Sequence, residues 1–141
     1  MRLRIPAELL EEIVSAASES NVEVCGFLFG ERRGDEWVVR KVTFVKNRLN
    51  SPTAFEMEPE DMVKALDDAE KENLEVVGIF HSHVSCPPRP SSKDVKGMTL
   101  WPVPWLIVTG HKVAAFMLEK GKPKEIELKI ISRCQSSRTL P

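Results

Sequence analysis

Apolar positions along the chain recur with two different periods. From Pro6 onward, Leu9, Leu10, Ile13, Val14 and Ala17 return at the i, i+3, i+4 spacing of a helix with one apolar side. Pro6 suits the first turn, where a helix leaves N–H groups unpaired anyway. Residues 22–30 (VEVCGFLFG) drop that period and predict a strand. Gly30 and Gly34 mark a turn before residues 36–45 (EWVVRKVTFV), so a hairpin is expected. NRLNSPT, from residue 47, reads as loop. A second helix opens near Pro59, with Met62, Ala65, Leu66 and Ala69 at i, i+3, i+4 and i+7. Residues 74–80 (LEVVGIF) are apolar apart from Glu75, the pattern of a strand covered on both faces. A short helix near 91–97 and a buried strand within 102–110 (PVPWLIVTG) follow. Residues 112–120 and 125–131 then form a hairpin across GKPK, with Ile126, Leu128 and Ile130 alternating onto one face. The order helix, two strands, helix, buried strand, short helix, three strands predicts one α/β domain, a mixed sheet with helices packed on it, over residues 1–132. Residues 133–141 read as a polar tail.

Composition narrows the functional classes. At 141 residues the chain suits one domain with a sizeable core. Lys+Arg 20 against Asp+Glu 21 leaves no electrostatic footprint for nucleic acid or an anionic membrane. Lys120, Lys122, Lys124 and Lys129 gather near the end, but acidic residues interleave with them, as on a solvated face. Glu8, Glu11 and Glu12 interrupt what would have to be the apolar core of a signal peptide. No apolar run approaches a membrane span; Gly78 and Pro104 break the longest ones. Cys25, Cys86 and Cys134 cannot all pair within one chain, which points to a reducing cytoplasm; an intermolecular disulfide, and with it a homodimer, is the other arrangement an odd count allows. A single glutamine and four asparagines beside many Lys and Glu lean towards a thermophilic source.

The chemistry concentrates in HSHVSCPPRPSSKD, residues 81–94. If the preceding strand continues, His81 and His83 project on one side, ~6.6 Å apart along it, while Ser82 points away. Two imidazoles so placed converge on one metal ion, or else sit wetted at the sheet rim. Asp94 adds a carboxylate, delivered back over the histidines by the stiff run Cys86-Pro87-Pro88-Arg89-Pro90. Ser91-x-x-Asp94 is also a capping-box pattern for the short helix. Two histidines and one carboxylate leave a fourth tetrahedral position for water, as in catalytic zinc sites. Cys86 is the one nearby thiol, held off the ion by the prolines. The other polar residue in an apolar stretch is Glu23, among Val22, Val24, Phe27 and Leu28. It is either a strand-end glutamate facing solvent or the base that such a water needs.

Glu23-Val24-Cys25-Gly26, followed by His81-Ser82-His83, seven residues and Ser91-Ser92-Lys93-Asp94, resembles the JAMM motif E…H-[ST]-H-x7-S-x-x-D of the MPN-domain zinc metalloproteases. All five functional positions and both spacings match, and the order of elements resembles that family's minimal core, a single MPN (JAB1/MPN) domain with a curved mixed β-sheet flanked by helices. The resemblance implies that His81, His83 and Asp94 bind one zinc ion. It further implies that Glu23 activates the water and passes its proton to the leaving amine, and that Ser91 hydrogen-bonds the oxyanion. It implies an isopeptidase cleaving the C-terminal glycine of a ubiquitin-like small modifier from a substrate lysine, with those conjugates as partners. The compact chain resembles archaeal or bacterial members, so processing the C-terminus of a sulfur-carrier protein is the alternative. A non-catalytic MPN scaffold would lack ligand residues that are present here. A nucleotide deaminase would need H-x-E and P-C-x-x-C, and Arg89 stands where its second cysteine belongs. The resemblance also suggests that the stretch NRLNSPTAFEMEPED pairs with an extended substrate tail as an added strand. Cys25 reads as a small core hydrophobe, and Trp101 and Trp105 as core residues or the border of a tail groove.

Overall fold

The computed structural model describes residues 1–132. The tail from residue 133, with Cys134, lies outside the described residues. The elements are β1 (Arg2–Pro6), α1 (Ala7–Ser18), β2 (Cys25–Arg33), β3 (Glu36–Val45), α2 (Pro59–Lys71), β4 (Glu75–Ser82), α3 (Ser92–Leu100), β5 (Trp105–Thr109), β6 (Lys112–Glu119) and β7 (Lys122–Ile131). The predicted order holds, with one strand added at the front. Leu3 and Ile5 of β1 alternate with Arg2 and Arg4, but five residues ahead of a helix-opening proline make too short a period to stand out.

That strand closes the sheet. The order is β1-β3-β2-β4-β5-β6-β7, and β1 runs parallel to both β3 and β7, joining the two ends into a barrel. Leu3 and Ile5 are fully buried, while Arg2 pairs outside with Glu36 and Glu127, each at 3.0 Å. β4 and β5 are parallel, and the remaining pairs are antiparallel, so the sheet is mixed. The last hairpin turns at Lys120 and Gly121, not across GKPK. Both residues take positive φ (53° and 79°), the conformation of a two-residue turn whose twist matches the flanking strands. Pro123 therefore falls within β7, in the part that β1 does not reach.

Two apolar cores lie on the two faces of the central strands. One gathers Leu10 and Ile13 of α1 with Leu3, Ile5, Phe80, Leu106 and Val108. The other gathers Ala65 and Ala69 of α2 and Met98 of α3 with Phe27, Phe29, Ile79, Trp105 and Ile107. Along β5 the residues alternate between the two cores, as a doubly covered strand requires. His81 follows Ile79 by two residues and therefore looks towards the α3 side. Gly97 lets α3 lie close: a Cβ there would meet the Trp105 ring at 2.5 Å. The mixed sheet thus presents the end of β4 to the first turn of α3.

Candidate active site

β4 ends at Ser82, so His81 is the last inward-facing residue of a buried strand and His83 lies one step beyond it. Ser91 caps α3: its Oγ accepts from Asp94 N–H at 3.1 Å, and its own N–H donates to Asp94 Oδ2 at 2.9 Å. That reciprocal cap turns Asp94 back over the histidines. His81 Nε2 and His83 Nε2 are 3.2 Å apart, and each is 3.1 Å from Asp94 Oδ2. Ligand atoms of a tetrahedral zinc site with bonds of ~2.0–2.1 Å stand ~3.3 Å from one another, so the triangle fits one ion. The tautomer points the same way. His83 Nδ1 lies 2.8 Å from Pro87 O, which can only accept, so Nδ1 carries the hydrogen. Nε2 is then the nitrogen turned to Asp94 Oδ2 at 3.1 Å: protonated it donates to the carboxylate, and neutral it offers a metal its lone pair. These three residues form a group that could hold a metal ion.

The charges agree. Burial would raise Asp94, but hydrogen bonds from both imidazoles and from Ser91 N–H hold it well below the usual carboxylate range. His83 is raised by its hydrogen bond to Asp94, whereas burial lowers His81 despite the same partner. His81 is enclosed by rings: Phe55 stacks on it at 4.7 Å, and Trp105 meets it edge-on at 5.7 Å.

Glu23 lies just before β2 rather than within a strand over 22–30. The ladder starts at Cys25, opposite Val45 and His81. Instead Glu23 N–H donates to Ser51 O (2.9 Å), and Val24 is held by both the N–H and the Oγ of Ser82 (3.0 and 2.9 Å). Glu23 is 5% exposed, and burial, opposed by His83 and reinforced by Asp94, pushes its pKa up to about 7. With His83, Ser91, Cys86 and Arg89 it lines a cavity of 310 Å³. Ser91 and Asp94 also line a second cavity, of 350 Å³, walled by Phe55, Met57, Leu100, Trp101 and Trp105. Ser91 sits where the two meet, and a hydroxyl that accepts from Asp94 N–H still has its proton to donate.

All five sequence-predicted positions therefore converge on one cleft. Cys86 is exposed in its wall and outside the ligand triangle. Cys25 is buried, donates to Val45 O at 3.3 Å, and has its pKa pushed up to about 12 by burial, which suits a core residue and not a nucleophile. Trp105 serves both expected ends, packing the core and bordering the cleft. Two residues escaped the sequence reading. Phe55 sits in a loop of no period. Ser82 was only the residue pointing away from the metal, yet its hydroxyl accepts from the main chain beside Glu23.

No helix among the described residues is long and apolar enough to cross a membrane. The pattern of the family described as prokaryotic homologs of the JAB domain matches residues 6–119. A desampylase from Pyrococcus furiosus is 56% identical over 128 residues, 89% of this chain and 89% of that protein. A probable TtuB-protein conjugate cleaving protease from Thermus thermophilus is 35% identical over 122 residues, 85% of this chain and 78% of that one. A solved JAB1/MPN domain protein from Archaeoglobus fulgidus shares the fold, with a TM-score of 0.61 at 22% identity over 92% of this chain and 96% of that one. With the family pattern running from the start of α1 to the end of β6 and a relative identical at most positions, this chain belongs to the JAMM/MPN+ metalloprotease family, in its prokaryotic JAB-domain branch.

Proposed function

We propose that this protein is a zinc-dependent isopeptidase that hydrolyses the bond between the C-terminal glycine of a ubiquitin-like small modifier and a substrate lysine. The observation that carries this reading is the ligand triangle, with Pro87 O holding His83 Nδ1 so that Nε2 is left to a metal, and with His83 lining the same cavity as a buried glutamate of raised pKa. The names of two relatives, a desampylase and a conjugate cleaving protease, support the reaction class. Two imidazoles and one carboxylate are a donor set that zinc favours when a fourth position is kept for substrate or water.

When bound, zinc supplies Lewis acidity to the scissile carbonyl and to a water. The remaining work belongs to the chain. Glu23, with a pKa near neutrality, accepts the proton of the attacking water and returns it to the departing lysine amine. Ser91 donates its hydroxyl proton to the carbonyl oxygen as negative charge develops there. Pro87 O fixes the His83 tautomer, and Ser91 N–H fixes the Asp94 carboxylate. The apolar cavity beside Asp94 takes the extended tail of the modifier, and the Glu23 side takes the lysine. Residues 1–132 form the catalytic unit in this reading.

The test is incubation with a lysine-linked ubiquitin-like conjugate, with and without a zinc chelator, beside Glu23→Gln. Cleavage should need the metal and Glu23, with metal content by mass spectrometry of one zinc per chain retained in Glu23→Gln. Cleavage that survives chelation or the substitution would sink the mechanism.

A further inference from the structure

The segment carrying Glu23 is irregular backbone outside the sheet, yet every main-chain polar group of Glu23 and Val24 is engaged. Two partners are side chains. One is Ser82, whose Oγ accepts from Val24 N–H. The other is Asn47, whose Nδ2 donates to Glu23 O at 3.0 Å. Asn47 uses its whole amide. Nδ2 also donates to Ala54 O at 3.0 Å, and Oδ1 accepts from Leu49 N–H and Glu56 N–H, both at 3.1 Å. One half-buried side chain thus ties together three pieces of backbone: the Glu23 segment, the turn that follows β3, and the extended piece around Ala54 and Glu56. That last piece carries Phe55, which stacks on His81 and lines the cavity beside Asp94.

We propose that Asn47 is a positioning residue for the reaction. Through its side-chain amide it fastens the main chain of Glu23 to the loop that walls the cleft, so that the acid/base group and the wall are held in one frame. The proposal rests on the acid/base role given to Glu23 above. The hydrogen bonds of the Asn47 side chain go to Glu23, Ala54, Leu49 and Glu56 and not to His81, His83 or Asp94, so its effect passes through the glutamate and the cleft wall. The two halves of the amide separate the roles. The acceptor half shapes the loop; the donor half reaches Glu23 and Ala54. Asn47→Asp keeps both accepted bonds and sets a second oxygen against two carbonyl oxygens. Asn47→Ala removes all four bonds without that repulsion.

Both variants, the unsubstituted protein and Glu23→Gln are compared on a lysine-linked ubiquitin-like conjugate for kcat and KM. Zinc content and amide hydrogen exchange over residues 22–24 are measured on the same samples. The expected result for Asn47→Asp is full zinc content, faster exchange at Glu23, and kcat lower by ~10–10² with a smaller change in KM, the penalty for a misplaced catalytic group. A kcat within about twofold of the unsubstituted protein, or unchanged exchange at 22–24, would overturn the proposal. So would loss of zinc in both variants, because Asn47 would then hold the fold and not the base. If Glu23→Gln stays active, the acid/base reading itself fails; if it is inactive while Asn47→Asp works normally, only the role of Asn47 fails.

Discussion

At the scale of single residues, the cleft sets burial against charge. Glu23 titrates at about 7 in the fold against 4.5 for an unperturbed glutamate, because burial penalises its charged form. A folded-state pKa above the unfolded one favours the protonated fold. Its contribution to stability is therefore present below pH 4.5 and lost as the pH rises through about 7. Glu23→Gln removes this dependence, so in metal-free protein it should be more stable than the unsubstituted chain at pH 8, by roughly 1–3 kcal/mol, and near equal at pH 4.5. Chemical denaturation of both proteins at the two pH values checks the difference; equal stability at pH 8 would mean that Glu23 is not desolvated. Ser91 combines a cap with a hydroxyl aimed at the cleft. Ser91→Ala should cost about 1 kcal/mol of stability for the cap. If the hydroxyl stabilises the oxyanion, kcat should also fall by ~10²–10³ under conditions where the variant is fully folded. A drop in melting temperature with unchanged kcat would leave Ser91 a cap only.

At the scale of elements, two contacts place the ligands. α3 approaches the sheet through Gly97, whose missing side chain makes room for Trp105. Gly97→Ala should destabilise the protein by roughly 1–3 kcal/mol, the ordinary cost of overpacking. It should also weaken metal binding, because Asp94 rides on the same helix; calorimetric titration with zinc measures this against the melting temperature. The HSH triplet divides its labour between faces: the histidines face α3, while Ser82 clamps Val24. The histidine spacing, the proline bracket and the Ser91–Asp94 cap were legible because each is a local pattern with a fixed geometric meaning. Glu23 was legible as a polar residue in an apolar stretch, but its departure from the strand was not. That departure depends on hydrogen bonds with Ser51, Asn47 and Ser82, far away in the chain. Phe55 and Asn47 lie where the chain has no period, so their roles are set by what folds against them.

At the scale of the whole molecule, metal and fold are linked. An ion that binds three residues brought together only in the native state stabilises that state by mass action, ~2.7 kcal/mol at a hundredfold excess over Kd. Zinc added to metal-free protein should therefore raise the melting temperature, a chelator should reverse it, and Asp94→Ala should abolish the response. Barrel closure by β1 is the other global feature. Leu3 is fully buried in the core that α1 covers, so Leu3→Ala should destabilise by ~2–5 kcal/mol although it lies in no functional motif. Equilibrium unfolding gives that number directly; a loss under about 1 kcal/mol would mean that β1 is not integral to the core.

The amino-acid order alone carried the element order apart from β1, the doubly covered strands and the candidate ligand and base residues, because periodicity and ligand spacing are properties of neighbouring residues. Closure of the barrel, the tautomer of His83, the burial that brings Glu23 near neutrality and the hub at Asn47 all came from the folded chain. Three of them depend on contacts between segments distant in sequence, β1 with β7, a carboxyl enclosed by a cleft and an amide between three pieces of backbone; the tautomer depends on a ring nitrogen meeting the Pro87 carbonyl across a loop whose path the fold sets. Local spacing cannot specify such contacts, since they arise only when separate stretches compete for the same hydrogen bonds and the same buried space.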